Sequence, residues 1–140
     1  PNDENNGVST KRSILSLTAS IFDPLGFLSP FVIRFKILIQ KLWSEKFNWD
    51  NKVSADNHVE FKELTKTIKD SSAFSIQRSY SLENNIVSRK LIVFCDASNS
   101  AYCAVVYLKC VSKNGNSQIY IVGAKTKVAP ISLPKKAVKD

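Results

Sequence analysis

Apolar residues recur at helical spacing through the first half of the chain and at strand spacing through the second, with the change near Phe74. From Ser13 to Phe22, Ile14, Leu17 and Ile21 share one helical face, with Leu15, Ala19 and Phe22 beside them. Asp23-Pro24-Leu25-Gly26 ends that helix, because proline cannot continue it and glycine suits a tight turn. A longer helix follows, with Ser29 as N-cap and Pro30 at its first position. Its stripe is Leu28, Val32, Phe35, Leu38/Ile39 and Leu42, while Arg34 and Lys41 lie on the exposed face. Trp43 and Trp49 flank a polar break and read as packing anchors. A weaker helix from Asp56 to Lys69 turns Phe61, Leu64 and Ile68 inward.

After the polar stretches Ser71-Ser72 and 81–85 the period becomes extended. Three strands are predicted, Leu91–Asp96, Tyr102–Lys109 and Gln118–Lys125. The first two are joined by Ala97-Ser-Asn-Ser100, the second and third by a hairpin containing Lys113-Asn114-Gly115-Asn116. Leu91, Val93 and Cys95 on one face and Ile92 and Phe94 on the other make the first strand apolar on both sides. That pattern predicts a buried, central strand delivering Asp96 to an edge of the sheet. The fold class is α+β: a helical segment, then a three-stranded antiparallel meander. Residues 1–12 read as a polar, frayed leader, 13–72 as the helical part and 73–140 as the sheet part.

The hydrophobic fraction of 44% supports a core. There is no methionine, so a chain opening Pro-Asn-Asp is expected to be part of a longer polypeptide. No targeting segment is evident, and the most apolar stretch, Phe27 to Trp43, carries Arg34, Lys36 and Lys41, which a membrane-spanning helix would reject. The cysteines, Cys95, Cys103 and Cys110, are odd in number and lack metal-ligand spacing, so they are expected to be small buried hydrophobes in a reducing compartment. An intracellular setting, cytoplasmic or nuclear, follows.

The net charge of +8 is lopsided: residues 1–88 balance to +1, whereas 89–140 carry +7. A basic second part implies a polyanion partner or a solvated lysine-rich surface. The candidate nucleic-acid contacts are Lys109, Lys113, Lys125, Lys127, Lys135 and Lys136.

Candidate chemistry centres on Asp96. Two-metal hydrolysis needs several carboxylates around two cations, and magnesium prefers oxygen ligands. Downstream of Asp96 the only other acid is Asp140, so one carboxylate faces a task that requires several. Its alternative role is to start the turn Asp96-Ala-Ser-Asn99. His58, the sole histidine, has no cysteine or second histidine nearby in sequence and is assigned a capping or surface role. Motifs for nucleotide-binding loops, nucleophile elbows and zinc peptidases are absent.

Two motifs together resemble the BEL/Pao-type retrotransposon Pol polyproteins. Lys11-Arg-Ser-Ile-Leu-Ser-Leu-Thr-Ala-Ser-Ile-Phe-Asp-Pro-Leu-Gly-Phe-Leu-Ser-Pro30 is similar to the region after the reverse-transcriptase palm, a thumb- or connection-like segment. Phe94-Cys-Asp-Ala-Ser98, with Ala101-Tyr102 and Ala104-Val-Val-Tyr107, is similar to the first two strands of the attached ribonuclease H-like domain. Ala124-Lys-Thr-Lys-Val-Ala-Pro130 resembles its third strand and exit loop. The resemblance implies a truncated ribonuclease H-like fold, Asp96 as the first metal-binding carboxylate, and Mg2+ in the parent enzyme. It also implies that Ala137 stands where the family carries a catalytic glutamate.

The expectation is therefore a piece of a Pol polyprotein that is not an enzyme alone and needs no cofactor alone. Its expected partners are an RNA–DNA hybrid or other nucleic acid, bound weakly, and the rest of the polyprotein, with no membrane. The alternatives are a non-enzymatic interaction module from a degenerate element copy, or a residual ribonuclease H completed by another chain.

Overall fold

A computed structural model describes residues 9–70, 79–80 and 85–131. Among these, three helices precede three strands: α1 (Lys11–Ser20), α2 (Ser29–Ser44), α3 (Ala55–Asp70), β1 (Ile86–Ala97), β2 (Ala101–Ser112) and β3 (Ser117–Val128). The strands form one antiparallel sheet in the order β1-β2-β3. No helix among the described residues is long and apolar enough to cross a membrane.

The core lies among the helices. Ile14, Phe35, Leu38, Ile39, Leu42, Val53 and Leu64 form its buried cluster, and Leu17, Ile21, Phe47, Phe61 and Ile68 pack against it. The α2 stripe read from periodicity is the centre of this cluster, because those positions recur on one side of the helix. The helix has a second apolar side, which lies against β3.

Helix α1 begins earlier than expected. Thr10 caps it, its hydroxyl accepting from Ser13 N while the Ser13 hydroxyl accepts from Thr10 N, a reciprocal capping box. The amide of Val53 donates to Ser9 O at 3.0 Å, and Thr10 pairs with Lys52. Residues 9–12 of the supposed leader are thus tied into the helical part, and residues 1–8 lie outside the described set. Helix α1 also ends two residues short of expectation, at Ser20, with Ile21 already extended. Helix α2 has Leu28 rather than Ser29 as its N-cap, with no side-chain cap and Pro30 in its first turn.

The strands are longer than predicted, and both connections are the expected short turns. At the 98–100 turn, Ser98 N donates to Ala101 O at 2.8 Å. At the second hairpin Gly115 adopts φ 84° and its amide donates to Ser112 O, so the Asn-Gly pair supplies the left-handed residue the turn needs. Val106 pairs with Gly123 but Tyr107 with Ile121, which leaves Val122 as a bulge in β3.

One expectation fails clearly. Among the described residues, strand β1 is an edge strand, not the central one, and β2 is central. Apolar residues on both faces normally mark a doubly covered strand, but in a meander of three the first strand has only one neighbour. Helix α2 lies over β3 rather than β1, which leaves Phe94 on that face 60% exposed; Leu91 and Val93, on the opposite face, are 67% and 60% exposed. Of the cysteines, only Cys110 is buried; Cys95 faces away from α2 on β1, Cys103 lies at the end of the sheet by the first turn, and both are exposed.

Candidate functional site

The F-D-P-L-G run is what joins the helical part to the sheet. Gly26 adopts φ 76°, a left-handed conformation glycine enters without strain. Asp23 spans the turn: its carbonyl accepts from Gly26 N at 3.3 Å and its carboxylate from Leu28 N at 2.9 Å. The turn pushes Leu25 O outward, where it accepts from Ala124 N of β3 at 2.7 Å. A Cβ on Gly26 would stand 1.9 Å from Ala124 O. Backbone therefore meets backbone at a point where no side chain fits. On the far side of α2, Gln40 Nε2 donates to Ala129 O at 2.7 Å and holds the exit from β3.

This docking leaves a cleft of about 440 Å³ between the start of α2 and one face of the sheet. Phe27 and Ile33 line the helical side, Val105 and Tyr107 the floor, and Asp96 and Cys103 the end nearest the first turn. Strand alternation puts Ile92, Phe94 and Asp96 on this face together with their partners Tyr107, Val105 and Cys103. Phe94 meets Tyr107 edge to face, with ring centroids 6.0 Å apart. The cleft is thus apolar, with one carboxylate at its edge.

Asp96 is exposed at the end of β1. Its Oδ1 accepts from Ala97 N at 2.8 Å, while Oδ2 has no partner among the described residues. The turn-starting role does not fall to it. The Ser98 hydroxyl accepts from Ser100 N and Ala101 N, each at 3.2 Å, and shapes the turn instead. A two-metal site needs converging carboxylates, and among the described residues no three of His, Cys, Asp and Glu come together to hold a cation. Asp96 alone therefore does not fit the Mg2+ pair implied for the parent enzyme. The glutamate position at Ala137 lies outside the described residues.

The lysines assigned to nucleic acid do not form one patch. Lys109 pairs with Lys90 and projects from the cleft face. Lys125 and Lys127 pair with Ala104 and Tyr102, so alternation sends them to the opposite face. Lys113 sits in the hairpin turn at the other end of the sheet, roughly 35 Å from Lys127 at about 3.3 Å of rise per residue. Lys135 and Lys136 lie outside the described residues. Of the helical cations, Lys41 lies 3.8 Å from Glu60 of α3, and Arg34 is exposed. His58 is half-buried, its Nδ1 2.8 Å from the Ser9 hydroxyl, a structural tie to the segment before α1.

Periodicity missed the helical wall of the cleft. Phe27 and Ile33 fall off the stripe assigned to α2, and apolar residues off a stripe are the sign of a helix with two buried sides. Sequence reasoning also missed the Lys11–Trp43–Trp49 group. The Lys11 ammonium lies 3.7 Å from the centroid of Trp43 and 4.9 Å from that of Trp49, and the two indoles meet edge to face at 5.3 Å. Arg12 beside it forms a bidentate pair with Asp50, Nε to Oδ1 at 2.7 Å and Nη2 to Oδ2 at 3.1 Å. Hydrogen bonding to Arg12 holds the Asp50 carboxyl below the usual carboxylate range, and the same bond raises Arg12.

No curated protein sequence matches the chain. Residues 10–138 match the family described as Pao retrotransposon-like RNaseH-like domain. That span contains both the F-D-P-L-G turn docked on β3 and the Asp96 strand end, and the chain belongs to this Pao retrotransposon-like family.

Proposed function

We propose that this chain is a structural piece of a retrotransposon Pol polyprotein, catalytically inactive by itself, with weak, salt-sensitive affinity for nucleic acid such as an RNA–DNA hybrid. In the intact polyprotein, inside the cell, it would help position the hybrid beside the remainder of the enzyme. The observation that carries this reading is the setting of Asp96: one exposed carboxylate beside an apolar cleft, with no group of three or more metal-ligating side chains among the described residues. The charge of +7 over residues 89–140 favours a polyanion, and the dispersal of the lysines over both faces and both ends of the sheet favours weak binding.

The second reading, a ribonuclease H completed by carboxylates from another chain, draws on the exposure of Asp96 and its unengaged Oδ2. Incubation of labelled RNA–DNA hybrid with the purified protein, with Mg2+ or Mn2+ and alongside Asp96→Asn, separates the two. No cleavage is expected, and binding should fall steeply as salt rises. Metal-dependent cleavage abolished by Asp96→Asn would overturn the inactive reading. Tight binding indifferent to salt would overturn the electrostatic one.

A further inference from the structure

Beside the apolar cleft, the junction of helices and sheet encloses a second, polar pocket of about 350 Å³, on the side of the F-D-P-L-G turn that meets the end of α1. Its α2 wall is Ser29, Val32 and Lys36, one side of the helix at i, i+3 and i+7. Thr18 comes from the last turn of α1, Asp23 from the turn itself, and Lys125 and Thr126 from β3. Lys125 leaves its strand on the far face, but β3 is an outer strand among the described residues and a flexible four-carbon stem rounds its edge.

Several of these groups lack the partners that their burial or charge calls for. Ser29 is only 7% exposed, yet its hydroxyl makes no hydrogen bond among the described residues, and neither does that of Thr126. A buried hydroxyl without a partner is costly, and native structures leave one mainly where a ligand, ion or water completes it. Lys36 and Lys125 enter no ion pair; the pairs among the described residues are Arg12–Asp50 and Lys41–Glu60. The acid of the pocket, Asp23, is turned to the backbone, its carboxylate accepting from Leu28 N. Thr18 gives its proton to Ile14 O and so offers the pocket only lone pairs. Two ammonium groups against one engaged carboxylate oppose a metal cation and favour an anion, and the positive end of the α2 dipole acts in the same sense.

We infer that this pocket takes a phosphate group. Lys36 and Lys125 supply the charge, and the hydroxyls of Ser29 and Thr126 donate to its oxygens. A phosphate suits the arrangement better than a planar carboxylate, because its oxygens point in several directions and the donors come from two walls, α2 and β3. The pocket has room for more than the bare group, so the phosphate belongs to a larger ligand or is held with water. Its two sources are a backbone phosphate of nucleic acid, which would give the proposed hybrid contact one fixed point, and a small phosphate compound. Only the first source rests on the nucleic-acid reading; the site itself does not.

Heteronuclear NMR of the isotopically labelled chain, titrated with inorganic phosphate at constant ionic strength, tests the site. Saturable shifts are expected at the amides of Leu28, Ser29 and Thr126, and none in the distant hairpin around Gly115. Lys36→Gln and Lys125→Gln should each weaken binding about tenfold, and Ser29→Ala about three- to tenfold. Without phosphate, Ser29→Ala should melt no lower than the wild type, because it deletes a hydroxyl with no partner. A clear drop would mean that the hydroxyl is already bonded within the fold and would remove it from the site. Repeating the titration with RNA–DNA hybrid tells the sources apart. Movement of the same amides, with inorganic phosphate competing, assigns a backbone phosphate; a hybrid that leaves them still assigns a small phosphate compound. A hybrid that binds nowhere defeats the functional reading and not the site. No saturable shift at these amides, or shifts undiminished in both lysine variants, would overturn the proposal. Both lysines are exposed, so their variants decide the matter if circular dichroism finds Ser29→Ala misfolded.

Discussion

Lys11 is only 3% exposed, although it is a lysine in the first turn of a helix. Its ammonium finds the faces of Trp43 and Trp49, and a cation over an indole recovers part of the lost hydration. Trp43→Ala removes the ring face nearest the ammonium and the edge contact with Trp49. It should cost about 2–4 kcal/mol, combining lost aromatic area with the cation contact, read as a lower denaturant midpoint at unchanged slope. Trp43→Phe keeps a ring face and should recover most of that loss. The neighbouring Arg12–Asp50 pair is solvent-exposed, so its effect is small and depends on pH. Hydrogen bonding from Arg12 lowers the Asp50 pKa in the folded state, so the contribution is present above the unfolded aspartate value, about 4, and fades as pH falls through the lower folded value. The gap in thermal midpoint between the wild type and Asp50→Asn should therefore be constant near neutrality and close under acid. A gap that widened under acid would refute the assignment.

At the scale of elements, the Gly26 turn connects the two halves of the chain, and its two glycine-dependent features can be separated by comparison with Gly115. Both residues have positive φ, 76° and 84°. A Cβ on Gly115 meets nothing within 4 Å, so Gly115→Ala should cost only the backbone strain, about 1–2 kcal/mol. A Cβ on Gly26 meets Ala124 O at 1.9 Å, so Gly26→Ala must also push α2 and β3 apart. Its cost should exceed that of Gly115→Ala by at least about 1 kcal/mol. It should also strip hydrogen-exchange protection from the Ala124 amide, whose acceptor is Leu25 O. Equal costs for the two alanines would mean that the close approach is not maintained in solution. The helical stripe of Phe35, Leu38, Ile39 and Leu42 and the Asn-Gly hairpin were readable from the sequence because periodicity and turn chemistry are local. The position of β1 was not. Which strand is central depends on how many partners arrive, and the alternation of Leu91, Val93 and Cys95 against Ile92 and Phe94 carries no information about that. Asp96 was correctly placed at a strand end, but whether other acids converge on it is a matter of tertiary arrangement that spacing cannot reveal.

Across the whole molecule, apolar burial is concentrated on one side. The buried hydrophobic cluster is built from the helices and the segment around Val53, whereas the sheet contributes only Cys110 among its fully buried hydrophobes. The sheet is therefore supported by its ladder, by α2 against β3, and by little else among the described residues. Phe35 stands at the centre of the helical cluster with its ring edge on Phe61, centroids 6.1 Å apart. Phe35→Ala should cost about 3–5 kcal/mol, a loss that a marginally stable chain of this size has little capacity to absorb. Because α2 carries the docking of β3, the loss should pass from the helical core into the sheet, while β1, remote from α2, should be the least protected strand even in the wild type. Hydrogen exchange at low protein concentration should then rank α2 above β3 and β3 above β1, and Phe35→Ala should lower the first two most. If β1 were as protected as α2 under those dilute conditions, some covering by the chain itself would have to account for it, and the picture of a helical core supporting a largely uncovered sheet would fail.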